Sequence, residues 1–114
     1  MVTAQRLRSS ADIREVVSLR RAAGGPHVIV HARLRADAEP PRVAVVAGRR
    51  VGNAVARNRA KRRLRAILHD AVLPTGTDLV LSAKSGADEA PYPDLVGDVR
   101  SGVRRAVKHA TDDC

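Results

Sequence analysis

At 114 residues the chain has room for one domain and one core, and with 44% hydrophobic residues it can fill that core. Its 21 basic residues against 12 acidic ones give a formal net charge of +9, while Tyr92 is its only Phe, Trp or Tyr. These numbers exclude a membrane span, for which no apolar run approaches ~20 residues, a secretory signal after Arg6 and Arg8, an internal disulfide at the single Cys114, and a recognition sheet of stacked aromatics.

Residues 9–23 read as a short helix. Ser9 and Asp12 have capping-box spacing, and Ile13, Val16 and Val17 share a face. Gly24-Gly25-Pro26 is expected to stop it. Residues 27–35 read as a strand, with Val28, Val30, Ala32 and Leu34 on one face. His27, Ile29, His31, Arg33 and Arg35 lie on the other. After a turn at 37–41, residues 42–47 form a valine-rich second strand. The two strands are expected to pair as an antiparallel hairpin. Asn53 is a candidate N-cap for the strongest helix, residues 54–72. Its Ala56, Ala60, Leu64, Ile67, Leu68 and Ala71 define a buried stripe, and Pro74 and Gly76 end it. Residues 78–84 read as a third strand, with Leu79 and Leu81 on the face opposite Val80. A loop at 85–91 leads to a last helix, residues 92–110. There Leu95, Val99, Val103 and Ala106 point inward and Arg104, Arg105 and Lys108 outward, while Gly97 and Gly102 weaken its regularity.

The order α-β-β-α-β-α places the chain in the α+β class. We expect a single domain over residues 1–114, with one small mixed β-sheet packed by helices and a parallel β-α-β unit inside it. Residues 1–8 and 111–114 are expected to be flexible. A lone cysteine fits a cytoplasmic protein.

The position of the charge matters more than its total. Between positions 42 and 65 stand nine basic residues and no acidic one, and the rest of the chain is balanced. A single-sign block kept in a folding sequence points to a polyanionic partner, nucleic acid before a membrane surface. The block lacks the bulky apolar face of an interfacial helix. On the helix 54–72, Arg57, Asn58, Lys61, Arg62 and Arg65 fall on one flank of the apolar stripe, and Arg59 and Arg63 on the other. Guanidinium groups grip phosphate bidentately, and Asn58 offers a donor and an acceptor. The helix N-terminus adds free N–H groups behind Gly48 and Gly52. No Walker spacing is present. A self-sufficient nuclease would need clustered carboxylates, and the acids are scattered. His27 and His31, ~13 Å apart along a strand, cannot share one metal ion. A structural RNA-binding protein without a catalytic partner fits the composition equally well.

Residues 49–65 read R-R-V-G-N-A-V-A-R-N-R-A-K-R-R-L-R. This segment closely resembles the signature of the bacterial ribonuclease P protein component, K-K-x-G-N-A-V-x-R-N-x-x-K-R-x-x-R. Every position is met except the leading lysine pair, replaced by Arg49 and Arg50 with charge kept. Arg6-Leu7-Arg8, the two strands before the basic helix and the later strand also fall where that family has counterparts, so the resemblance covers most of residues 6–108.

The resemblance implies a protein subunit that binds a large catalytic RNA. The holoenzyme is an endoribonuclease that removes the 5′ leader of precursor tRNA and leaves a 5′-phosphate. The RNA carries the Mg²⁺-dependent active site. The protein then supplies no catalytic side chain, no metal ligand and no organic cofactor, and is not catalytic alone. The partners implied are ribonuclease P RNA and precursor tRNA in a 1:1 ribonucleoprotein with a monomeric protein, away from membranes. The family fold has a left-handed β-α-β crossover, an exception to the usual rule. Residue by residue, Arg49, Arg50, Arg57, Asn58, Arg59, Lys61, Arg62 and Arg65 match the catalytic-RNA-binding motif. Ile13, Val17, His31, Arg33 and Lys84, with Arg57, Asn58 and Lys61, match the region of the leader cleft between the first helix and the sheet. Phenylalanines are frequent at the positions of Ile13 and Val17, tyrosine at His31 and arginine at Lys84. Ile13 and Val17 also read simply as core residues.

Overall fold

A computed structural model describes residues 4–19 and 21–112. Arg20, which falls in the expected first helix, and residues 1–3 and 113–114 lie outside the described residues. The elements in chain order are β1 (Gln5–Arg6), α1 (Ser10–Ser18), β2 (Ala22–Gly24), β3 (Val28–Leu34), β4 (Arg42–Ala47), α2 (Ala54–Asp70), β5 (Thr77–Ala83) and α3 (Tyr92–Asp112). The strands form one mixed sheet in the order β1-β4-β5-β3-β2.

The central strand explains this order. Leu79, Val80 and Leu81 of β5 are all fully buried, so both faces of that strand need cover. It therefore sits in the middle, parallel to β4 on one side and antiparallel to β3 on the other. This overturns the expected hairpin: β3 and β4 are separated by β5 and do not pair. Alternation along each strand specifies its faces, and leaves its neighbour open. The parallel β4-α2-β5 unit is present as expected.

The first helix is also shorter than its sequence reading. Ser9 caps it, its hydroxyl accepting from the Asp12 N–H at 3.3 Å, and the helix ends at Ser18. Ala22–Gly24 instead becomes the edge strand β2, antiparallel to β3. Without it β3 would present an open row of backbone donors and acceptors. Gln5–Arg6, outside every expected element, forms the opposite edge by pairing with Arg42 and Val43 of β4.

Two layers of helix cover the sheet. On one face Val28, Val30, Ala32, Val45, Leu79 and Leu81 pack against Leu64, Ile67 and Leu68 of α2 and Leu95, Val99 and Ala106 of α3. Gly102 of α3 lies so close to β3 that a Cβ there would stand 2.6 Å from Val30 Cγ2. On the other face α1 covers the sheet, through a smaller cluster of Leu7, Val16, Ala44 and Val80 with Ile13 and Val46 beside it.

Candidate nucleic-acid interface

The basic helix begins at the carboxyl end of the parallel strands. After Ala47, the Val51 N–H donates to the Gly48 carbonyl at 3.1 Å and the Gly52 N–H to that of Arg49 at 3.1 Å. Val51 is buried and pins this turn, leaving Arg49 and Arg50 exposed. Gly52 has φ +142°, a conformation that L side chains rarely adopt, and it lets the chain enter α2. Asn53 then caps the helix, its Oδ1 accepting from the Ala56 N–H at 2.9 Å. The turn and the uncapped N–H groups of the first turn form a cationic, donor-rich end.

Along α2, Ala60, Leu64, Ile67 and Leu68 are buried. Arg57 and Lys61 are half-buried beside them, and Asn58, Arg59, Arg62 and Arg65 are exposed. Arg65 also lines a groove of about 610 Å³ that runs past Arg6, Val43, Val45, Leu68 and His69. The side chains of Arg49, Arg50, Arg57, Asn58, Arg59, Lys61, Arg62 and Arg65 make no hydrogen bond or ion pair with any described residue.

Other cations near the block are spent inside the fold. Arg42 binds Asp78 through Nε at 2.7 Å and Nη2 at 2.8 Å. Arg63 donates to the carbonyls of Ala87, at 2.8 Å, and Ala90, and its guanidinium lies 5.7 Å from the Tyr92 ring centroid. Of the nine basic residues in the block, these two hold the fold and the other seven face outward.

The expected cleft residues do not form one compact group. Ile13 is half-buried against Val16, Ala44 and Val80, while Val17 is 38% exposed at the edge of α1. His31 pairs in register with Val80, so it lies on the sheet face beneath α1. Its Nδ1 is buried without a hydrogen-bond partner, and burial lowers its pKa from the ordinary value. Arg33 faces the same side, but its guanidinium is held by Asp78 at 2.6 Å and Glu15 at 3.0 Å. Lys84 stands about 20 Å along the sheet from the Arg33–Asp78 pair, beside the turn that carries Arg49 and Arg50. Its Nζ donates to the Gly25 carbonyl at 2.9 Å. Lys84 thus adjoins the basic end, His31 and Ile13 lie where α1 packs on the sheet, and Val17 lies at the exposed edge of α1.

Sequence reasoning missed the pivot of this arrangement. Asp78 has no exposed surface and accepts from Arg33 on β3, Arg35 just past its end and Arg42 on β4. The available signal was an acid at the head of an otherwise apolar strand, with arginines at alternate positions 33 and 35 of another strand. Asp98 was missed as well. Its Oδ2 accepts from the N–H groups of His27, at 2.8 Å, and Val28, at 3.1 Å, and so ties α3 to the start of β3.

Comparison with known proteins bears on what this surface serves. The sequence model of the family described as Ribonuclease P matches residues 1–107. The ribonuclease P protein component of Kocuria rhizophila is 42% identical over 108 residues, covering 93% of this chain and 95% of its own length. That of Streptomyces avermitilis is 37% identical over 113 residues, covering 90% and 92%. Among solved structures, the Staphylococcus aureus RNase P protein superposes with a TM-score of 0.75 at 18% identity, over 89% of this chain and 94% of that one. The Thermotoga maritima RNase P protein gives 0.76 at 21% identity, over 89% and 96%. At those identities the two structures speak for the fold alone, and the fold agrees. The family match along nearly the whole chain, with relatives more than a third identical, settles the family: the chain belongs to the ribonuclease P proteins, the protein component of that ribonuclease.

Proposed function

We propose that this protein binds the catalytic RNA of ribonuclease P through the Arg49–Arg50 turn and the outward side chains of α2. In the assembled 1:1 ribonucleoprotein it also guides the 5′ leader of precursor tRNA along the space between α1 and the sheet. The RNA performs the phosphodiester hydrolysis that yields mature tRNA 5′ ends, and the protein improves binding and alignment of the substrate.

One observation supports this most. Seven cations and one amide on a single turn and helix have no partner among the described residues, whereas Arg33, Arg35, Arg42 and Arg63 are fully engaged within the fold. Leaving so many like charges unpaired costs stability, and a polyphosphate backbone offsets that cost by accepting them and releasing counterions.

The leader space is lined differently from an aromatic platform. Ile13 and Val17 offer apolar edges and the His31 Nδ1 is buried, so the Phe and Tyr rings on which bases stack, at ~1–3 kcal/mol each, are missing there. Lys84 and Arg57 extend the path toward the basic end.

In this reading Mg²⁺ is held mainly by the RNA partner. Among the described residues no group of three or more His, Cys, Asp or Glu gathers as a ligand set, and the buried carboxylate of Asp78 is taken up by arginines. No step is assigned to a metal on the protein. No helix among the described residues is long and apolar enough to cross a membrane, and we place the protein in the cytoplasm with its RNA.

The test is a salt series of affinity for ribonuclease P RNA, followed by affinities of the assembled complex for precursor and mature tRNA. Log affinity for the RNA should fall linearly with log salt, by ~0.7–0.9 per phosphate contact. Precursor should bind more tightly than mature tRNA. Binding that ignores salt would contradict the interface, and equal affinity for the two tRNAs would contradict the leader path.

A further inference from the structure

Building on the leader path above, we propose that Arg33 is a positioning residue. It fixes α1 over the sheet and so sets the shape of the leader space, and it does not itself contact the leader.

The geometry is that of a clamp between two layers. Arg33 projects from β3, paired in register with Asp78 of β5. Its Nε and Nη2 lie 3.0 and 2.6 Å from Asp78 Oδ2. The same guanidinium reaches α1, with Nη1 3.0 Å from Glu15 Oε2 and Nη2 3.6 Å from Asp12 Oδ1. Only 16% of the Arg33 side chain is exposed. Three carboxylates surround one cation, two of its N–H groups donate to Asp78, and a phosphate approaching it would meet negative charge.

α1 needs such a fixture. A helix of nine residues does not hold itself together in water. Its apolar grip on the sheet is Val16, fully buried, with Ile13 half-buried beside it. Val16 and Ile13 seat one side of the helix on the sheet, and the flank that bears Asp12 and Glu15 has no apolar residue in this cluster. Around the helix, Asp12 and Glu15 lie on one flank of Val16, and Ile13 and Val17 on the other. Holding the first flank to Arg33 fixes the angle at which the second borders the leader space.

Two variants separate this role from direct contact. Arg33→Met removes the clamp from the sheet side, and Asp78 keeps Arg35 and Arg42, at 2.6 and 2.7 Å, so the fold persists. Asp12→Asn with Glu15→Gln removes it from the helix side and leaves Arg33 on Asp78. A direct leader contact predicts opposite effects: loss for Arg33→Met, but tighter leader binding when two repelling carboxylates are neutralised and Arg33 is released. The clamp predicts loss in both.

The readouts are the precursor-to-mature tRNA affinity ratio of the complex and hydrogen exchange of the α1 amides. Both variants should lower the ratio by about threefold to tenfold and speed α1 exchange, with affinity for ribonuclease P RNA unchanged. A ratio that holds or rises in the double variant overturns the proposal, as does unchanged α1 exchange in either. If the unaltered protein shows no precursor preference, the leader path itself fails. The clamp then stands or falls on α1 exchange alone.

Discussion

Arg42 and Asp78 form a two-point pair across the parallel strands β4 and β5, with Nε 2.7 Å from Oδ1 and Nη2 2.8 Å from Oδ2. The contact joins the first residue of the basic block to a carboxylate with no exposed surface. Arg33 and Arg35 complete the shell at 2.6 Å each. A buried acid is tolerated there because every direction in which it could miss water is filled by a charged donor.

Removing that acid should therefore be costly. Asp78→Asn leaves three guanidinium groups facing a neutral amide and is expected to destabilise the fold by ~3–5 kcal/mol. Arg42→Met, which leaves two partners on Asp78, should cost about 1–3 kcal/mol. Urea denaturation at neutral pH compares the two, and equal costs would contradict the shared shell.

The same site predicts an acid limb of stability. Burial alone would raise the Asp78 pKa, but the hydrogen bonds from Arg42, Arg33 and Arg35 outweigh it and hold the carboxyl below its ordinary range. A lowered folded-state pKa gives stability that is complete above the unfolded value, ~3.9, and lost as pH falls through the folded value. Thermal melts taken downward from pH 5 should show a steep loss below about pH 4 that is shallower in Asp78→Asn.

Adjacent arginines in α2 should behave in opposite ways. Arg62 is exposed and has no partner among the described residues, so Arg62→Ala should weaken RNA binding and reduce the salt slope by ~0.7–0.9 while leaving stability within about 0.5 kcal/mol. Arg63 serves two loop carbonyls and Tyr92, so Arg63→Ala should cost roughly 1–3 kcal/mol with the slope unchanged. A slope that moves equally in both would show that the flanks of the helix are not distinct.

The two weakening glycines of α3 also separate. A Cβ at Gly102 would collide with Val30 Cγ2, and Gly102→Ala should destabilise by about 1–3 kcal/mol. Nothing lies within 4 Å of a Cβ at Gly97, which is exposed, so Gly97→Ala should stabilise by ~0.4–1 kcal/mol. Melting temperatures of the pair, moving in opposite directions, check both.

His31 should leave a mark near neutral pH. Its folded-state pKa is lowered by burial, so stability is present above the unfolded value of ~6.5 and declines as pH falls toward the folded one. Melts between pH 7.5 and 5 should show this decline, and His31→Gln should remove it. A slope that survives in the variant would assign it to another group.

Much of this was legible in residue order. The Ser9 and Asn53 caps, the stripe of Ala60, Leu64, Ile67 and Leu68, and the parallel unit around α2 follow from period and capping chemistry, which act over a few residues. The partner of each strand does not. The insertion of β5 between β3 and β4 is decided by where Leu79, Val80 and Leu81 can be covered on both faces, a property of the whole sheet. For the same reason the charge block overstated the surface. Arg42 and Arg63 read as part of a basic run until Asp78 and the Ala87 and Ala90 carbonyls, distant in sequence, are brought to them. Arg33 is the clearest case, since its strand face was readable while its three carboxylate neighbours come from two other elements.

The most direct measurement is cleavage of precursor tRNA at low Mg²⁺ by the protein alone, by ribonuclease P RNA alone, and by the two together. Cleavage is expected only in the mixture, and is expected to be lost there when Arg57→Ala and Arg62→Ala are combined. Cleavage by the protein alone, or a mixture no more active than the RNA despite tight binding, would contradict a subunit that assists a catalytic RNA.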